Sequence, residues 1–168
     1  YSGNRLESQI KSAELTIETA RLGFLQSQEN LIYDVANAYV DALENLATAK
    51  VNLQTEENLA EHEHNIAMLY DAGAKAKIDL IRAQVETSNA AQDTAKSHAA
   101  YEVSLVNLAT LMASDNIADI SLDDIETALE LADVEEFINR AYENRFDLKA
   151  DALNIDKGSL DIEIARAG

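Results

Sequence analysis

The 168-residue sequence contains no proline, no cysteine and no tryptophan. Without proline the main helix breaker is missing. Without cysteine, disulfides and thiolate chemistry are excluded, a composition compatible with an oxidising compartment. Only five residues are glycine and aromatics make up 5%, so any core must be built from thin, close contacts. Basic residues are few: 13 Lys and Arg stand against 31 Asp and Glu, for a net charge of -18. That balance disfavours nucleic acid, whose phosphates need Lys and Arg. It has a plain reading as solubility and a functional one as an acidic surface or lumen that favours cations. No apolar run approaches the roughly 18 residues of a membrane helix. The chain opens on Tyr1-Ser2-Gly3 with no Met and reads as a piece of a longer protein.

What is present is helix former: apolar residues are 47% of the chain, with Ala, Leu, Glu, Gln and Lys abundant. An all-α fold follows. From Leu6 to Tyr70 the apolar positions Leu6, Ile10, Ala13, Ile17, Phe24, Leu31, Val35, Ala38, Ala42, Leu46, Ala49 and Leu53 keep a helical period without interruption. Such a helix is roughly 95 Å long, a length that suits a coiled coil, a helical array or a tube wall. A second helix is predicted over 78–113, with a seam of Ile78, Ile81, Val85, Ser88, Ala91, Ala95, Ala99, Val103, Val106 and Leu111. Its small residues permit close approach, and it is roughly 54 Å long. His98 reads as a residue of this seam.

Residues 114–143 are dense in Asp and Ser. Ser121 with Asp124, and Asp133 with Glu136, are spaced like capping boxes, and short helices are expected over 122–130 and 134–143. A last helix, beginning near Asn144 and ending near Ala167, carries two apolar lines: Leu148, Ile155 and Ile162, and Leu153, Leu160 and Ala167. Two lines imply neighbours on two sides. The second and last helices together come to roughly 90 Å, close to the first alone. The expected architecture is therefore one continuous helix (6–70) in antiparallel, coiled-coil pairing with two shorter stacked helices. On that arrangement residues 1 and 168 share one end and the turn at 71–77 lies at the other. Gly73 is expected to be the left-handed residue that ends the long helix, and Asp79 to meet the positive end of the next helix dipole.

The segment "LYDAGAKAKIDLIRAQVETSNAAQDTAKSHAAYEVSLVNLATLMA" resembles the tip and descending helix of the TolC-like outer membrane efflux proteins. The matching positions are Tyr70, Gly73, Asp79, Leu80, Ile81 and Ala83. "AYENRFDLKADALNIDKGSLDIEIARAG" is similar to that family's Asn-Arg-Pro-Asp-Leu segment and to the Ala-Arg-Ala-Gly that precedes an outer-membrane strand. "VANAYVDAL", from Val35 to Leu43, resembles a Val-x-x-x-Tyr mid-helix element, and "YSGNR" the start of a first long helix. The chain departs from the pattern at Phe146, where the family usually has Pro, and at Ala76, where Ser or Thr often caps the helix. Ala74 replaces a frequent Leu. Without a hydroxyl at 76, Asp79 is expected to lose its capping-box partner.

The resemblance implies that residues 1–168 form one periplasmic α-helical segment of a homotrimeric channel with two similar repeats per protomer. The full-length protein would be anchored in the outer membrane by strands outside this chain. A periplasmic adaptor, and through it an inner-membrane pump, would dock at the tip residues Tyr70, Asp71, Ala72, Gly73, Ala74 and Lys75. Asp79 matches a gate-region aspartate. No cofactor and no nucleic acid are implied.

Other features are weaker. In "EHEH", His62 and His64 are two apart and fall on different faces. Glu57, Glu61 and His64 share a face, but zinc prefers more nitrogen or sulfur, so no metal site is expected. No glycine-rich phosphate loop or His-centred constellation points to an enzyme. A periplasmic adaptor hairpin would need flanking β-rich halves. A coiled-coil scaffold with no transport role would repeat full-length helices.

Overall fold

The computed structural model describes residues 5–114, 116–117, 120–123 and 133–167. Those residues form four helices: α1 (Arg5–Asp71), α2 (Lys77–Leu111), α3 (Val134–Asn144) and α4 (Phe146–Arg166). The short helix expected over 122–130 lies outside the described residues, apart from Leu122 and Asp123, which are not helical. Two compact units divide the chain, Tyr1–Tyr33 with Glu126–Gly168, and Asp34–Ile125. α1 runs through both without a break, as the unbroken period and the missing proline require.

In the unit Asp34–Ile125, α1 folds back through the tip turn onto α2. Among the residues withdrawn from water on α2, one line is Leu80, Ala83, Thr87, Ala90, Thr94, Ser97, Tyr101, Ser104, Leu108 and Leu111. Their steps alternate three and four, the heptad seam of a coiled coil. On α1 the matching line is Val35, Ala38, Ala42, Asn45, Ala49, Asn52, Glu56, Leu59, Glu63 and Ile66. The seam is small and polar. Ala42 and Leu108 are fully buried, and the Thr87 hydroxyl crosses it to the Leu59 carbonyl at 3.2 Å. Side chains this short let the two backbones approach, but each methyl contributes only about 0.8 kcal/mol of burial.

This seam corrects the expected one. Ile78, Ile81, Val85, Ser88, Ala95, Ala99, Val103 and Val106 lie two positions away and are exposed, Ile78 at 53% and Val103 at 59%. Leu53 is exposed as well. His98 also stands outside the seam. It is exposed and lies 3.5 Å from Glu102, while its neighbour Ser97 is the buried residue.

In the other unit α4 packs antiparallel on the first part of α1. Ser8 donates to Glu163 at 3.1 Å, and Ser12 to Asp161 at 3.5 Å. The α1 seam is Ser8, Ser12, Leu15, Thr19 and Leu22; the α4 seam is Ala150, Leu153, Lys157, Leu160 and Ile164. Lys157 is half-buried in this line, a position that a long aliphatic stem tolerates. Here too the larger apolar residues are elsewhere: Leu6, Ile10, Ile17, Phe24 and Leu31 are exposed. Of the two lines expected on α4, Leu153 and Leu160 pack, whereas Ile155 (72%) and Ile162 are exposed. Ala167 is exposed too.

The ends of α3 and α4 bring two corrections. Asp133 is the N-cap of α3, but its side chain makes no capping bond, so the Asp133–Glu136 box does not form. Glu136 pairs instead with Arg140. α4 begins at Phe146, not Asn144, because Arg145 leaves the helical region at φ -59, ψ 119. That extended geometry is what a proline at the next position imposes on its predecessor. Phe146 therefore fills an N1 position suited to proline.

Candidate functional site

The tip turn is built by a Schellman motif. The Ala74 N–H donates to the Leu69 carbonyl at 2.8 Å, and the Gly73 N–H to the Tyr70 carbonyl at 2.9 Å. This pairing requires a left-handed residue between them. Gly73 supplies it with φ +75. A β-carbon there would meet nothing within 4 Å, so the demand for glycine comes from the backbone alone. α2 ends in the same way without a glycine. The Ser114 N–H donates to the Ala109 carbonyl at 2.9 Å, the Ala113 N–H to that of Thr110 at 3.1 Å, and Ala113 takes φ 51. α2 thus stops at Leu111, short of the expected 113.

Across the tip, Ala76 is the N-cap of α2 and has no side-chain acceptor to offer. Asp79 still forms its half of the box: its carboxylate accepts from the Ala76 N–H at 3.4 Å. The expected loss is therefore one-sided. Asp79 closes the first turn of α2 and lies where the helix dipole favours an anion.

Tyr70, Asp71, Ala72, Gly73, Ala74 and Lys75 are all exposed on this turn. Two of the singled-out residues, Lys75 and Asp79, share a shallow hollow of about 210 Å³ with His62, Ile66, Arg82, Ala83 and Glu86. His62 stood out only in "EHEH", as a metal ligand that was not expected, and Arg82 and Glu86 belong to no motif. Their spacing held the signal: Arg82 and Glu86 follow Asp79 by three and seven positions, on one helical face. Among the described residues no group of three His, Asp or Glu side chains gathers to hold a metal.

A second feature runs along the helices. On α1 an exposed line of Leu6, Ile10, Ala13, Ile17, Ala20, Phe24 and Leu31 repeats the seam, displaced by two positions. On α2 the same displacement gives Ile78, Ile81, Val85, Ser88, Ala95, Ala99 and Val106. On α4 it gives half-buried Leu148 and the exposed Asp151, Ile155, Gly158 and Ile162. Two positions in a 3.5-residue repeat turn through about 206°, so seam and second line lie about 154° apart around each helix. No helix among the described residues is long and apolar enough to cross a membrane, and heptad lines spaced by polar residues suit helix neighbours better than lipid.

One unbroken helix with shorter antiparallel partners, turned by a glycine Schellman tip, is the fold of the helical part of a TolC-like outer-membrane channel. The chain is similar to the solved outer-membrane channel OprN, with 25% sequence identity and a TM-score of 0.82 over 97% of its length. It spans 37% of the length of that channel. No protein-family model and no curated protein matches the sequence. The matched structure is a channel, not an enzyme.

Proposed function

We propose that this chain is the periplasmic α-helical part of one repeat of a trimeric outer-membrane efflux or secretion channel. The observation that carries this reading is the paired heptad lines. A helix with contact lines on nearly opposite sides belongs to a wall, not to a bundle. A wall that turns about 26° per helix closes after roughly fourteen helices, near the roughly twelve that three copies of a two-repeat protomer would supply. The coverage of 37% of the similar channel suits one repeat without its membrane strands. In this reading outer-membrane strands outside the chain anchor the protein. The net charge of -18 gives the wall a preference for cations.

At the tip, Tyr70 to Lys75 meet a periplasmic adaptor, which couples the channel to an inner-membrane pump. Gly73 and the side chains of Ala72, Ala74 and Ala76 leave room for another helical hairpin to approach. Asp79, fixed by its own N-cap bond, belongs to the gate region.

The chain has no native cysteine, so an introduced thiol is the one thiol it contributes to the complete protein. Ala74→Cys is expected to crosslink to the adaptor. Val85→Cys is expected to crosslink to a neighbouring helix of the assembly, and Thr48→Cys, on neither line of α1, to neither partner. Absence of the first product would sink the docking assignment; absence of the second would sink the wall.

A further inference from the structure

Tyr39 makes two hydrogen bonds that the seam does not need. Its hydroxyl accepts from the Asp123 backbone N–H at 2.7 Å and donates to the Asp123 carbonyl at 2.9 Å. The partners are 84 positions apart in sequence, and both belong to the unit Asp34–Ile125. A phenol can both donate and accept, so it can satisfy both backbone groups of one residue. Phenylalanine could fill the same space and do neither.

The two sides of this contact are unequal. Tyr39 is anchored: it is half-buried, in the middle of α1, three residues before the fully buried Ala42. Asp123 is exposed and outside any helix, and the nearest backbone bond among the described residues before it is Ile120 N–H to the Ile117 carbonyl at 3.1 Å. Of residues 120–123, Ile120 and Leu122 are half-buried, while Ser121 and Asp123 are exposed. Backbone polar groups of an irregular segment must still find partners, and here one side chain provides them.

We infer that Tyr39 is a clasp. Its hydroxyl fixes the backbone of Asp123 against the long helix, so that losing this contact loosens Asp123 while the coiled coil beneath stays intact. That makes the backbone at Asp123 separable from the helices, with Tyr39 as its positioning residue. The inference rests on the hydrogen-bond geometry and stands whether or not the channel reading does.

The test is amide hydrogen exchange on the complete protein, comparing the parent with Tyr39→Phe and Tyr39→Leu. With the hydroxyl gone, the Asp123 amide is expected to exchange on the order of tenfold faster. The Ser114 amide, held by the Ala109 carbonyl, keeps its rate, as do the amides around Ala42. Both variants should behave alike at Asp123, because the ring is not what holds it. An unchanged Asp123 rate in Tyr39→Phe overturns the clasp. So does faster exchange at Asp123, Ser114 and Ala42 together, which would make the hydroxyl a support of the whole helix pair.

Discussion

The two left-handed helix ends allow one perturbation to be run in opposite directions. Gly73 and Ala113 occupy the same position of the same motif, at φ +75 and φ 51. An L-residue in the left-handed region costs about 1–2 kcal/mol. Replacing glycine by alanine also stiffens the unfolded chain, which returns about 0.4–1 kcal/mol. Gly73→Ala should therefore destabilise by about 0.5–1 kcal/mol, and Ala113→Gly should stabilise by about the same amount. Surrounding atoms do not alter the first figure, since a β-carbon at 73 meets nothing within 4 Å. Gly73→Val, β-branched, should cost more, about 2 kcal/mol. Urea unfolding followed by helical circular dichroism would measure all three. With a slope of about 2 kcal/mol per molar, 1 kcal/mol moves the midpoint by about 0.5 M, and the slope itself should not change. The reasoning fails if Ala113→Gly leaves the midpoint in place or lowers it, because then the left-handed backbone at 113 carries no cost.

Two further outcomes are expected. The hydroxyl oxygens of Thr19 and Thr94 are buried without a partner, so Thr19→Val and Thr94→Val, which remove the orphan at nearly constant volume, should each raise the urea midpoint by the equivalent of about 1 kcal/mol; a drop would mean that those hydroxyls are satisfied in solution. At the start of α4, two hydrogen bonds from Arg145 hold the Asp147 carboxyl below its ordinary value, and the Leu148 N–H adds a third bond to it. A lowered carboxylate pKa means that the contribution is complete above the ordinary carboxylate range and is lost as pH falls through the lowered value. Acidification below that range should thus lower the protection of the Leu148 amide, measured against its intrinsic exchange rate at each pH, and Asp147→Asn should remove this pH dependence while leaving the Ala42 region unaffected.

The all-helical class, the great length of α1 and the turn at Gly73 are local properties, and they are legible in the chain itself. Helix formers without proline propagate until something stops them, and only glycine enters the left-handed region freely. The tip is legible for the same reason: Tyr70 to Asp79 surround the one clear interruption. What local chemistry could not assign was the face of each helix that packs within the chain. Hydrophobic periodicity marks a line that is buried somewhere, and it favours Ile78, Ile81, Val85 and Val103. The intrachain seam went to Leu80, Ala83, Thr87 and Ser97, two positions round, because small side chains allow the closer approach. Similarity of period cannot separate two lines of equal spacing; only the pairing of α1 with α2 does. Ala113 was hidden for the opposite reason. Nothing in alanine signals a left-handed residue, and it is held there by the Ser114 and Ala113 bonds that end α2. The bond from Tyr39 to Asp123 joins residues 84 positions apart, so it exists only once the chain has folded back on itself.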